Sequence, residues 1–510
     1  MNNEENFNRN ETNEELNGHV FPPASLLKQI DETVNVSQEE IERKIQIIEQ
    51  TFKSLKIKAS IKNVVSGPSV TRFEVLPSAS THYKKILGCQ NDLAYALNCR
   101  SVRIALFENG MTIGIEIQNN SNGIIGLKEI IEDESFTNTK FELPIAIGKD
   151  VDGKSIVRGL EKMPHLLIAG ATGTDKSVFI NNLIMSLIYK RTPEDLRLLL
   201  VDPKQVEYVQ YRNLPHLLLS APITELNHAI NALDWLFNEM NRRYDLFRNL
   251  ADEGIIVHNV KEYNSCSLVK EGKAEKMPYI VMIVDELADL MLFRKQDIER
   301  KIRTLVQKCR ASGIHLVLAT QRPSVKVLTG TIKCNFSARI AFRVNSEFDS
   351  KVILDYSGAE LLIGRGDMLM NDDYTLVRVQ NPFVSNEEIN DVVNFAKENY
   401  VASFDTEIAK TIMTDEELTP EEINTEEINT DLYLVKLFPD IMRCFIKEGK
   451  VSTNLLQRRF NLGYIRADRI IEQFEQQGWV TVRDGTRPQK VNLTEEDFEE
   501  IFNETFEKGE

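Results

Sequence analysis

Strand-like and helix-like segments alternate along the middle of the chain. From Leu166 onward, short apolar runs alternate with longer amphipathic stretches, in the order HLLIAG, SVFINNLIMSLIYK, LRLLLVD, NHAINALDWLFNEMNRRYDLF, YIVMIVDE, DIERKIRTLVQKCRAS and HLVLATQ. Such alternation is typical of a parallel sheet with helices on both faces. Ligands of these sheets bind at the carboxyl ends of the strands. The pattern therefore predicts an α/β domain over residues 148–400, with a site at one edge of its sheet.

A smaller domain is predicted upstream. Behind Ser37, which is a suitable N-cap, apolar residues recur at helical spacing, and short alternating runs between residues 57 and 117 predict strands around one short helix. Residues 31–147 are thus expected to form an α+β domain. Residues 1–30 show no periodicity and are expected to be a disordered acidic segment. GKDVDGKSIV, at 148–157, predicts a β-turn between two strands.

The composition changes again after residue 400. Residues 401–430 contain a direct EEINT repeat and almost no large apolar side chains, and are expected to be an acidic linker. Residues 431–493 show three helical patterns and two short strands around a Gly-Thr-Arg-Pro turn, which predicts a winged helix-turn-helix. Residues 494–510 are expected to be an acidic tail.

The net charge of −16 over 510 residues, taken alone, argues against a nucleic-acid partner. Three segments reverse that view, because residues 1–30, 401–430 and 494–510 together carry −18, which leaves the rest of the chain near +2. Residues 431–493 carry eleven bases and seven acids. A basic surface is therefore compatible with the acidic total.

Cysteine spacing and hydropathy point to the cytoplasm. The six cysteines are scattered without zinc-ligand spacing, as expected for a reduced protein. No apolar run approaches the ~18 residues needed to cross a bilayer, and the polar, asparagine-rich start does not resemble a signal peptide. We expect a cytoplasmic chain without a membrane segment.

A glycine-rich turn follows the first strand of the α/β domain. PHLLIAGATGTDKS, at 164–177, nearly fits the phosphate-binding pattern G-x-x-x-x-G-K-[ST], in which backbone N–H groups and a lysine hold phosphates and a hydroxyl binds Mg²⁺. Asp175 stands where glycine is expected. The nucleotide-binding residues predicted here are Gly170, Ala171, Thr172, Gly173, Thr174, Asp175, Lys176, Ser177 and Val178.

Two later strand ends carry matching chemistry. Asp285 and Glu286 end YIVMIVDE, where one acid would bind Mg²⁺ and the other orient the attacking water. The alternative is that they cap a helix. Gln321 ends the next strand and is a candidate γ-phosphate sensor, unless it belongs to an ordinary turn. Asp202 ends a further strand and is expected at the same edge.

Other charged residues and histidines lie near predicted strand ends, and a surface or packing role is the alternative for each of them. The charged residues are Lys204, Glu207, Arg310, Arg339 and Arg343, and the histidines are His165, His216 and His315.

The longer motifs resemble the FtsK/SpoIIIE family of DNA translocases. MPHLLIAGATG, YIVMIVDELADLM, ASGIHLVLATQRPSV, ARIAFRV and GAELLIGRGDML occur in the family's order, and the likeness covers about residues 35–493. It implies an α domain, a RecA-like P-loop motor domain with a parallel sheet, and a γ winged helix that reads short DNA sequences.

The resemblance also implies a function, namely an ATP-dependent motor that moves double-stranded DNA in chromosome partition, cell division or sporulation. It implies a homo-hexameric ring with ATP and Mg²⁺ between subunits. Lys176, Asp285, Glu286 and Gln321 would be catalytic, Ser177 and Asp285 would bind the metal, and Arg310 is our choice for an arginine acting on the neighbouring subunit's nucleotide. The resemblance leaves open whether a recombinase or a division protein is a partner. A conjugation or phage DNA-transfer motor of the same fold is an alternative.

Three features depart from the family pattern. No transmembrane helices precede the α domain. The recognition helix has Ile465 and Asp468 where asparagine and alanine are usual, although Arg458, Arg459, Arg466 and Arg469 remain to bind DNA. Asp175 would repel a phosphate charge by about 4 kcal/mol at ~4 Å and an effective dielectric constant near 20. A second alternative is therefore a DNA-binding, ring-forming protein with an impaired nucleotide site.

Overall fold

The computed structural model describes most of the chain. The described residues are 20–30, 36–106, 112–120, 123–372, 375–414, 440–449, 451–460, 470–471, 474–475, 478–481 and 490–494, without the side chains of residues 454, 457 and 458. Two compact units divide the chain, Met1–Asp415 and Glu416–Glu510. Each unit is described by itself.

Helices and strands alternate through the first unit. Its strands are β1 (Ala59–Ser66), β2 (Val70–Pro77), β3 (Val102–Leu106), β4 (Ile113–Gln118), β5 (Pro144–Asp150), β6 (Ser155–Gly159), β7 (His165–Ala169), β8 (Leu196–Val201), β9 (Tyr279–Val284), β10 (Ile314–Thr320), β11 (Ala338–Phe342), β12 (Asp367–Asp372) and β13 (Thr375–Gln380). Its helices are α1 (Gln38–Ser54), α2 (Tyr83–Leu87), α3 (Gln90–Ala96), α4 (Leu127–Ile131), α5 (Glu134–Thr137), α6 (Lys176–Ile188), α7 (Leu226–Asp252), α8 (Val260–Asn264), α9 (Ser267–Lys270), α10 (Leu287–Phe293), α11 (Lys295–Lys308), α12 (Gly330–Asn335), α13 (Glu347–Leu354), α14 (Asn386–Asn399) and α15 (Thr406–Ile412). Short 3-10 helices lie at Ala24–Leu26, Val209–Tyr211 and Ala359–Leu361.

The α+β domain is an antiparallel sheet covered by helices. Its strand order is β1-β2-β4-β3, and every neighbouring pair is antiparallel. The Ser37 side chain accepts a hydrogen bond from the Glu40 backbone N–H at 3.2 Å, so Ser37 caps α1 as predicted. Ile48 of α1 and Phe73 and Ile115 of the sheet are fully buried in one core. The predicted helix and strands of this region are all present.

A nine-stranded mixed sheet forms the centre of the second domain. Its order is β6-β5-β13-β12-β11-β7-β10-β9-β8, and the five strands from β11 to β8 are parallel. The remaining pairs are antiparallel and extend the sheet beyond β11. All five residues of β7 are buried, as expected of a strand covered on both faces. The predicted α/β fold class with a parallel sheet is confirmed.

The two faces of this sheet build two separate cores. Leu166 and Ile168 of β7 pack in a cluster with Phe179 of α6. Leu167 lies on the opposite face, in a cluster with Leu236 of α7 and many residues of α10 to α13. Alternate side chains of one strand thus hold helices on both faces, which fixes the strand end from which the glycine-rich turn begins.

Three of the predicted domain limits are wrong. Residues 20–30 are not disordered, because Leu27 is 2% exposed in the core of the α/β domain. Residues 123–147 also belong to that domain rather than to the α+β domain, since α4 and α5 pack into the same core and β5 crosses the predicted limit at 147. At the other end, Ile412 of α15 is fully buried against the opposite core, so the predicted linker does not begin at 401.

The turn between β5 and β6 agrees with the prediction. The backbone N–H of Asp150 donates to the Lys154 carbonyl at 3.0 Å, and Gly153 has a φ of 78°. Glycine favours such a backbone conformation because it has no Cβ.

A buried ion network joins the α+β domain to the α/β domain. Glu116 of β4 accepts hydrogen bonds through Oε2 from Arg103 at 2.9 Å and from Arg378 of β13 at 2.8 Å. Arg378 is also paired through two nitrogens with Asp367 at 2.7 and 2.9 Å. Burial alone would raise the pKa of Glu116, but the two guanidinium groups outweigh it and lower the pKa to about 2. The network therefore fixes the position of the α+β domain against the α/β domain.

The second unit is helical where it is described. Residues 440–448 are helical, α16 spans Thr453–Phe460, and an antiparallel bridge joins Val480 to Val491. Phe445, Leu456, Phe474 and other apolar residues form its core. The N-terminal segment 1–19, the linker segment 415–439 and the tail 495–510 lie outside the described residues.

Among the helices of the described ranges, none combines the length and apolar character needed to cross a membrane.

Candidate functional site

The predicted site residues converge at one edge of the sheet. β7, β10, β9 and β8 are parallel neighbours, and their last residues are Ala169, Thr320, Val284 and Val201. The glycine-rich turn, Gln321, Asp285 and Asp202 therefore follow four neighbouring strand ends, as predicted. The strand carrying Gln321 lies between the turn and the acidic pair.

The glycine-rich turn is held close to its neighbours. The N–H of Gly170 donates to the Thr320 carbonyl at 3.3 Å, and that of Ala171 donates to the Arg343 carbonyl at 2.9 Å. A Cβ on Gly170 would lie 2.5 Å from Cβ of Phe342, so only glycine fits there. The hydroxyl of Thr174 donates to the Ala171 carbonyl at 2.6 Å. These contacts shape the turn before α6 begins.

Asp175 occupies the left-handed backbone region, with φ 70° and ψ 26°. This conformation is costly for a residue with a Cβ, although aspartate tolerates it better than most. Asp175 stands at the N-cap of α6, yet its side chain makes no capping hydrogen bond. Burial raises the pKa of its half-buried carboxyl group, and Arg365 opposes that effect. The backbone of Asp175 thus adopts the left-handed conformation that glycine would adopt in this turn, and its carboxylate stays at the turn.

Lys176 is paired with the acidic strand. Its Nζ donates to Oδ1 of Asp285 at 2.7 Å and to the Asp285 carbonyl at 2.8 Å. Both side chains are almost completely buried, at 3% and 1% exposure. Within the described residues, Oδ2 of Asp285 is buried and has no hydrogen-bond partner. A buried lysine and a buried carboxylate with one open oxygen therefore meet at the first turn of α6.

Glu286 caps a helix and lies at the site, while its role in orienting the attacking water stays a prediction. Its side chain caps α10 by accepting from the Ala288 N–H at 3.2 Å, and Oε1 also accepts from the Thr320 hydroxyl at 2.6 Å. The Gln321 N–H and Nζ of Lys204, at 3.3 Å, are further donors. The carboxylate is thus fixed at the site and caps a helix as well.

Gln321 and Ser177 lie close to the turn. The hydroxyl of Thr172 donates to Oε1 of Gln321 at 3.3 Å, which links the turn to the end of β10. Ser177 is the second residue of α6 and is partly exposed. Val178 follows it with similar exposure.

Asp202 positions the loop after β8. Its Oδ2 accepts from the backbone N–H groups of Glu207 and Tyr208, at 2.9 and 3.2 Å. Its Oδ1 is buried without a partner in the described part of the chain, as is the Tyr208 hydroxyl. Asp202 and Asp285 follow paired residues of neighbouring strands, so two buried carboxylates lie side by side.

The arginines named from the sequence differ in position. Arg310 is exposed and precedes β10, so it lies at the sheet edge opposite to the turn. Arg339 is paired with Asp355 and bonded to the Lys333 and Phe336 carbonyls. Arg343 follows β11 on the same edge as the turn, and its Nη1 donates to the Ile363 carbonyl at 3.1 Å.

Of the four arginines predicted to bind DNA, only Arg459 has a described side chain. It lies in α16, is half-exposed and pairs with Glu448 at 2.9 Å. The side chain of Arg458 and the residues Arg466 and Arg469, like Ile465 and Asp468, lie outside the described part of the structure.

Two residues of the site were missed by the sequence reasoning. The Thr320 hydroxyl donates a hydrogen bond to Glu286, and the positive charge of Arg365 opposes the rise in the pKa of Asp175 on burial. A threonine at a strand end gives no distinct signal. The GRGD sequence at 364–367 does, because an arginine between two glycines is typical of a loop with an unusual backbone.

Known families match the chain in three segments. Residues 21–119 match the FtsK alpha domain, residues 126–325 the FtsK/SpoIIIE family, and residues 435–494 the FtsK gamma domain. The chain belongs to the FtsK/SpoIIIE family. The predicted winged-helix domain is thus the family's γ domain. The limits of the three matches also fit the corrected start of the α/β domain near residue 123.

Curated relatives of the FtsK/SpoIIIE family resemble almost the whole chain. A protein named DNA translocase FtsK from Caldanaerobacter subterraneus is 41% identical over 94% of this chain and 65% of its own length. The DNA translocase FtsK of Clostridium tetani is 42% identical over 94% of this chain and 63% of its own. For the DNA translocase SftA of Bacillus subtilis, the values are 39%, 95% and 49%. The chain therefore spans about half to two thirds of the length of these relatives.

Proposed function

We propose that this protein is an ATP-dependent translocase of double-stranded DNA. The buried contact between Lys176 and Asp285, beside Glu286 and Gln321, carries the proposal, because it joins four groups of a phosphate-transfer site. The DNA translocases to which the chain is similar support the choice of substrate.

The residues at the sheet edge fit a nucleotide and Mg²⁺. The turn offers backbone N–H groups at the start of α6, where the helix dipole favours negative charge. The open Oδ2 of Asp285 and the Ser177 hydroxyl supply hard oxygen ligands, which suit Mg²⁺. When bound, Mg²⁺ would neutralise charge on the phosphates.

Each side chain has a defined task in this proposal. Lys176 binds the β- and γ-phosphates, for which it exchanges its present contact with Asp285. Glu286 orients the attacking water and can accept its proton, since its carboxylate is already fixed by Thr320 and Gln321. Gln321, which touches the turn through Thr172, senses the γ-phosphate.

We further propose a homo-hexameric ring around DNA, with Arg310 acting on the neighbouring subunit's nucleotide and the γ domain binding DNA. Arg310 is exposed and lies at the far sheet edge, so it could serve only a neighbour's site. The chromosome-partition role and the cytoplasmic location follow the same reasoning. All six cysteines are free thiols, in line with a reducing compartment.

DNA-stimulated phosphate release and displacement of a third strand from duplex DNA test the proposal. Lys176→Ala should abolish both, because it removes the phosphate-binding cation. Lys190→Ala is a matched control, since Lys190 is a lysine just beyond the far end of α6. Equal strand displacement by the chain and by Lys176→Ala would show that the assigned site is wrong.

A second candidate is a DNA-binding ring protein whose nucleotide site is impaired. Asp175 favours this candidate, because its half-buried carboxylate lies in the phosphate-binding turn and makes no capping hydrogen bond. DNA binding and ring formation without DNA-stimulated phosphate release would support this candidate. Rapid DNA-stimulated release by the unaltered chain would refute it.

A further inference from the structure

The carboxylate of Glu286 receives hydrogen bonds from both neighbouring strand ends. Glu286 follows β9, which lies between β10 and β8 in the sheet. On the β10 side, the Thr320 hydroxyl donates to Oε1 at 2.6 Å, and the Gln321 N–H lies 3.3 Å from Oε1 and 3.2 Å from Oε2. The Ala288 N–H also donates to Oε1, at 3.2 Å. On the β8 side, Nζ of Lys204 donates to Oε2 at 3.3 Å, so the two oxygens have different sets of partners.

The donors to Glu286 differ in how easily they can move. Two of them are backbone N–H groups, and Thr320 is completely buried. The Lys204 side chain is 41% exposed and carries its charge on a long flexible stem. Among the described donors, only Lys204 can therefore leave Glu286 without moving the backbone or the core.

The backbone of Lys204 is fixed beside the site. Pro203 precedes it with a φ angle restricted by the proline ring, and Gln205 follows it with a φ of 58°. The Gln205 N–H donates to the Asp202 carbonyl at 3.1 Å, and the Asp202 carboxylate accepts from two further backbone N–H groups of the same loop. The loop thus keeps the ammonium group within reach of Glu286, while the exposed side chain has room to turn away.

The proposed hydrolysis needs an accessible oxygen on Glu286. The oxygen of a water attacks the γ-phosphorus, the bond from this phosphorus to the oxygen retained by ADP breaks, and a proton of the water passes to the carboxylate. Each carboxylate oxygen accepts about two hydrogen bonds. Oε1 already has Ala288, Thr320 and Gln321 as donors, and Oε2 has Gln321 and Lys204. A water can therefore bind Oε2 once Lys204 has left it.

We propose that Lys204 is a positioning residue that restrains Glu286 by occupying Oε2, the oxygen that must accept the proton of the attacking water. The inference rests on the proposed role of Glu286 in ATP hydrolysis. Lys204 acts through Glu286, so removal of its charge should free the carboxylate and speed the chemical step. A lysine that served instead to bind phosphate would have the opposite effect, because its removal would slow hydrolysis.

Single-turnover hydrolysis of ATP by an excess of the full chain, with Mg²⁺ and without DNA, measures the chemical step. Lys204→Met keeps an unbranched side chain and removes the charge, Lys204→Gln is a second neutral variant, and Lys204→Arg keeps the cation. Lys276→Met is the matched control, because the Lys276 side chain is 46% exposed and pairs with Asp195, which is 14% exposed. Lys276 precedes β9 and so lies at the sheet edge opposite to the site. The neutral variants are also made in a Glu286→Gln background.

Lys204→Met and Lys204→Gln should each raise the single-turnover rate about fivefold, the factor that corresponds to one partly exposed ion pair. Lys204→Arg and Lys276→Met should stay within about twofold of the unaltered chain. The Kd of a slowly hydrolysed ATP analogue should change less than about twofold in the neutral variants, since the rate and not the binding is restrained. In the Glu286→Gln background, neither neutral variant should change the rate.

Three results would overturn the inference alone. The first is an unchanged or lower rate in the neutral variants, whose folding is checked by thermal unfolding. The second is a rise of the same size in the Glu286→Gln background, which would mean that Lys204 does not act through Glu286. The third is a rise of the same size in Lys204→Arg or Lys276→Met. If Glu286→Gln alone hydrolyses ATP as fast as the unaltered chain, the proposed role of Glu286 is wrong and the inference falls with it.

Discussion

Acid should destabilise the α/β domain because three neutral histidines are buried in that domain. His165 and His315 lie at the amino ends of β7 and β10, and His216 lies beside β8; their exposure is 2%, 1% and 0%. Burial, as the largest cause, lowers their pKa values to about 3, 4 and 4. None of the three is at the nucleotide-site edge of the sheet, so this effect is separate from catalysis.

One of the three rings has a hydrogen bond that requires a neutral nitrogen. The Leu316 N–H donates to Nδ1 of His165 at 3.2 Å, which requires an unprotonated nitrogen there. Nδ1 of His315 lies 2.9 Å from the Pro164 carbonyl, and Nε2 of His216 lies 2.8 Å from the Arg191 carbonyl. Each of these two contacts raises the pKa of its ring, but burial outweighs it. Arg310 and Arg243 disfavour a charge on His315, and Arg197 disfavours one on His216 more than Asp195 favours it.

The size of the effect follows from proton linkage. An unfolded histidine titrates near pH 6.5, so the unfolded state binds more protons than the native state below that pH. Stability is complete above pH 6.5 and falls as the pH decreases through this value. At pH 5 each histidine costs about 2 kcal/mol, or about 6 kcal/mol for the three together. That sum is comparable to the total stability of many domains.

Urea unfolding between pH 7 and pH 5 measures this slope, because most carboxylates titrate at lower pH. Near pH 5 the slope should approach about 4 kcal/mol per pH unit, and His216→Gln should reduce it by about 1.4 kcal/mol per unit, the value of one proton. His82→Gln is the control, since His82 is exposed. Stability that stays constant from pH 7 to pH 5, or a slope unchanged in His216→Gln, would refute the reasoning.

Three further variants test the ion network and the turn. Glu116→Gln leaves Arg103 buried without its carboxylate and should lower the free energy of unfolding, measured in urea, by about 3 kcal/mol. The control is Glu49→Gln, which should change that free energy little because Glu49 is exposed. Equal free energies of unfolding for the two variants would contradict a buried pair. Gly170→Ala should cost about 1–3 kcal/mol through the contact with Phe342, and an unchanged unfolding midpoint would exclude that contact. Asp175→Gly should relieve about 1 kcal/mol of backbone strain and raise DNA-stimulated ATP turnover; equal turnover would mean that Asp175 does not impair the site.

Local patterns predicted the site better than they predicted the domain limits. The apolar strands and the residues that follow them are adjacent in sequence, so Lys176, Asp285 and Gln321 could be placed at one edge before any contact was known. Leu27 could not be placed in this way. The other buried residues of its core cluster begin at Ile125, and residues 1–30 show no helical or strand periodicity.

The same limit applies to Glu116. Its role depends on the antiparallel strands β12 and β13, because β13 brings Arg378 beside β4. Such pairing has no local signature, because the register of strands far apart in sequence is set by packing. Ion pairs between the two domains can therefore be recognised only from the folded structure.

Two lysines at the nucleotide edge are paired with carboxylates. Lys176 pairs with Asp285 and Lys204 with Glu286, whereas Arg343 donates to a backbone carbonyl. Asp202 adds a carboxylate whose second oxygen has no partner among the described groups. In the proposed site, Lys176 could turn to a triphosphate only if another cation replaced it at the buried Asp285 carboxylate. Mg²⁺ bound at the open oxygen of that carboxylate would be such a cation, so the proposed site would couple metal binding to nucleotide binding.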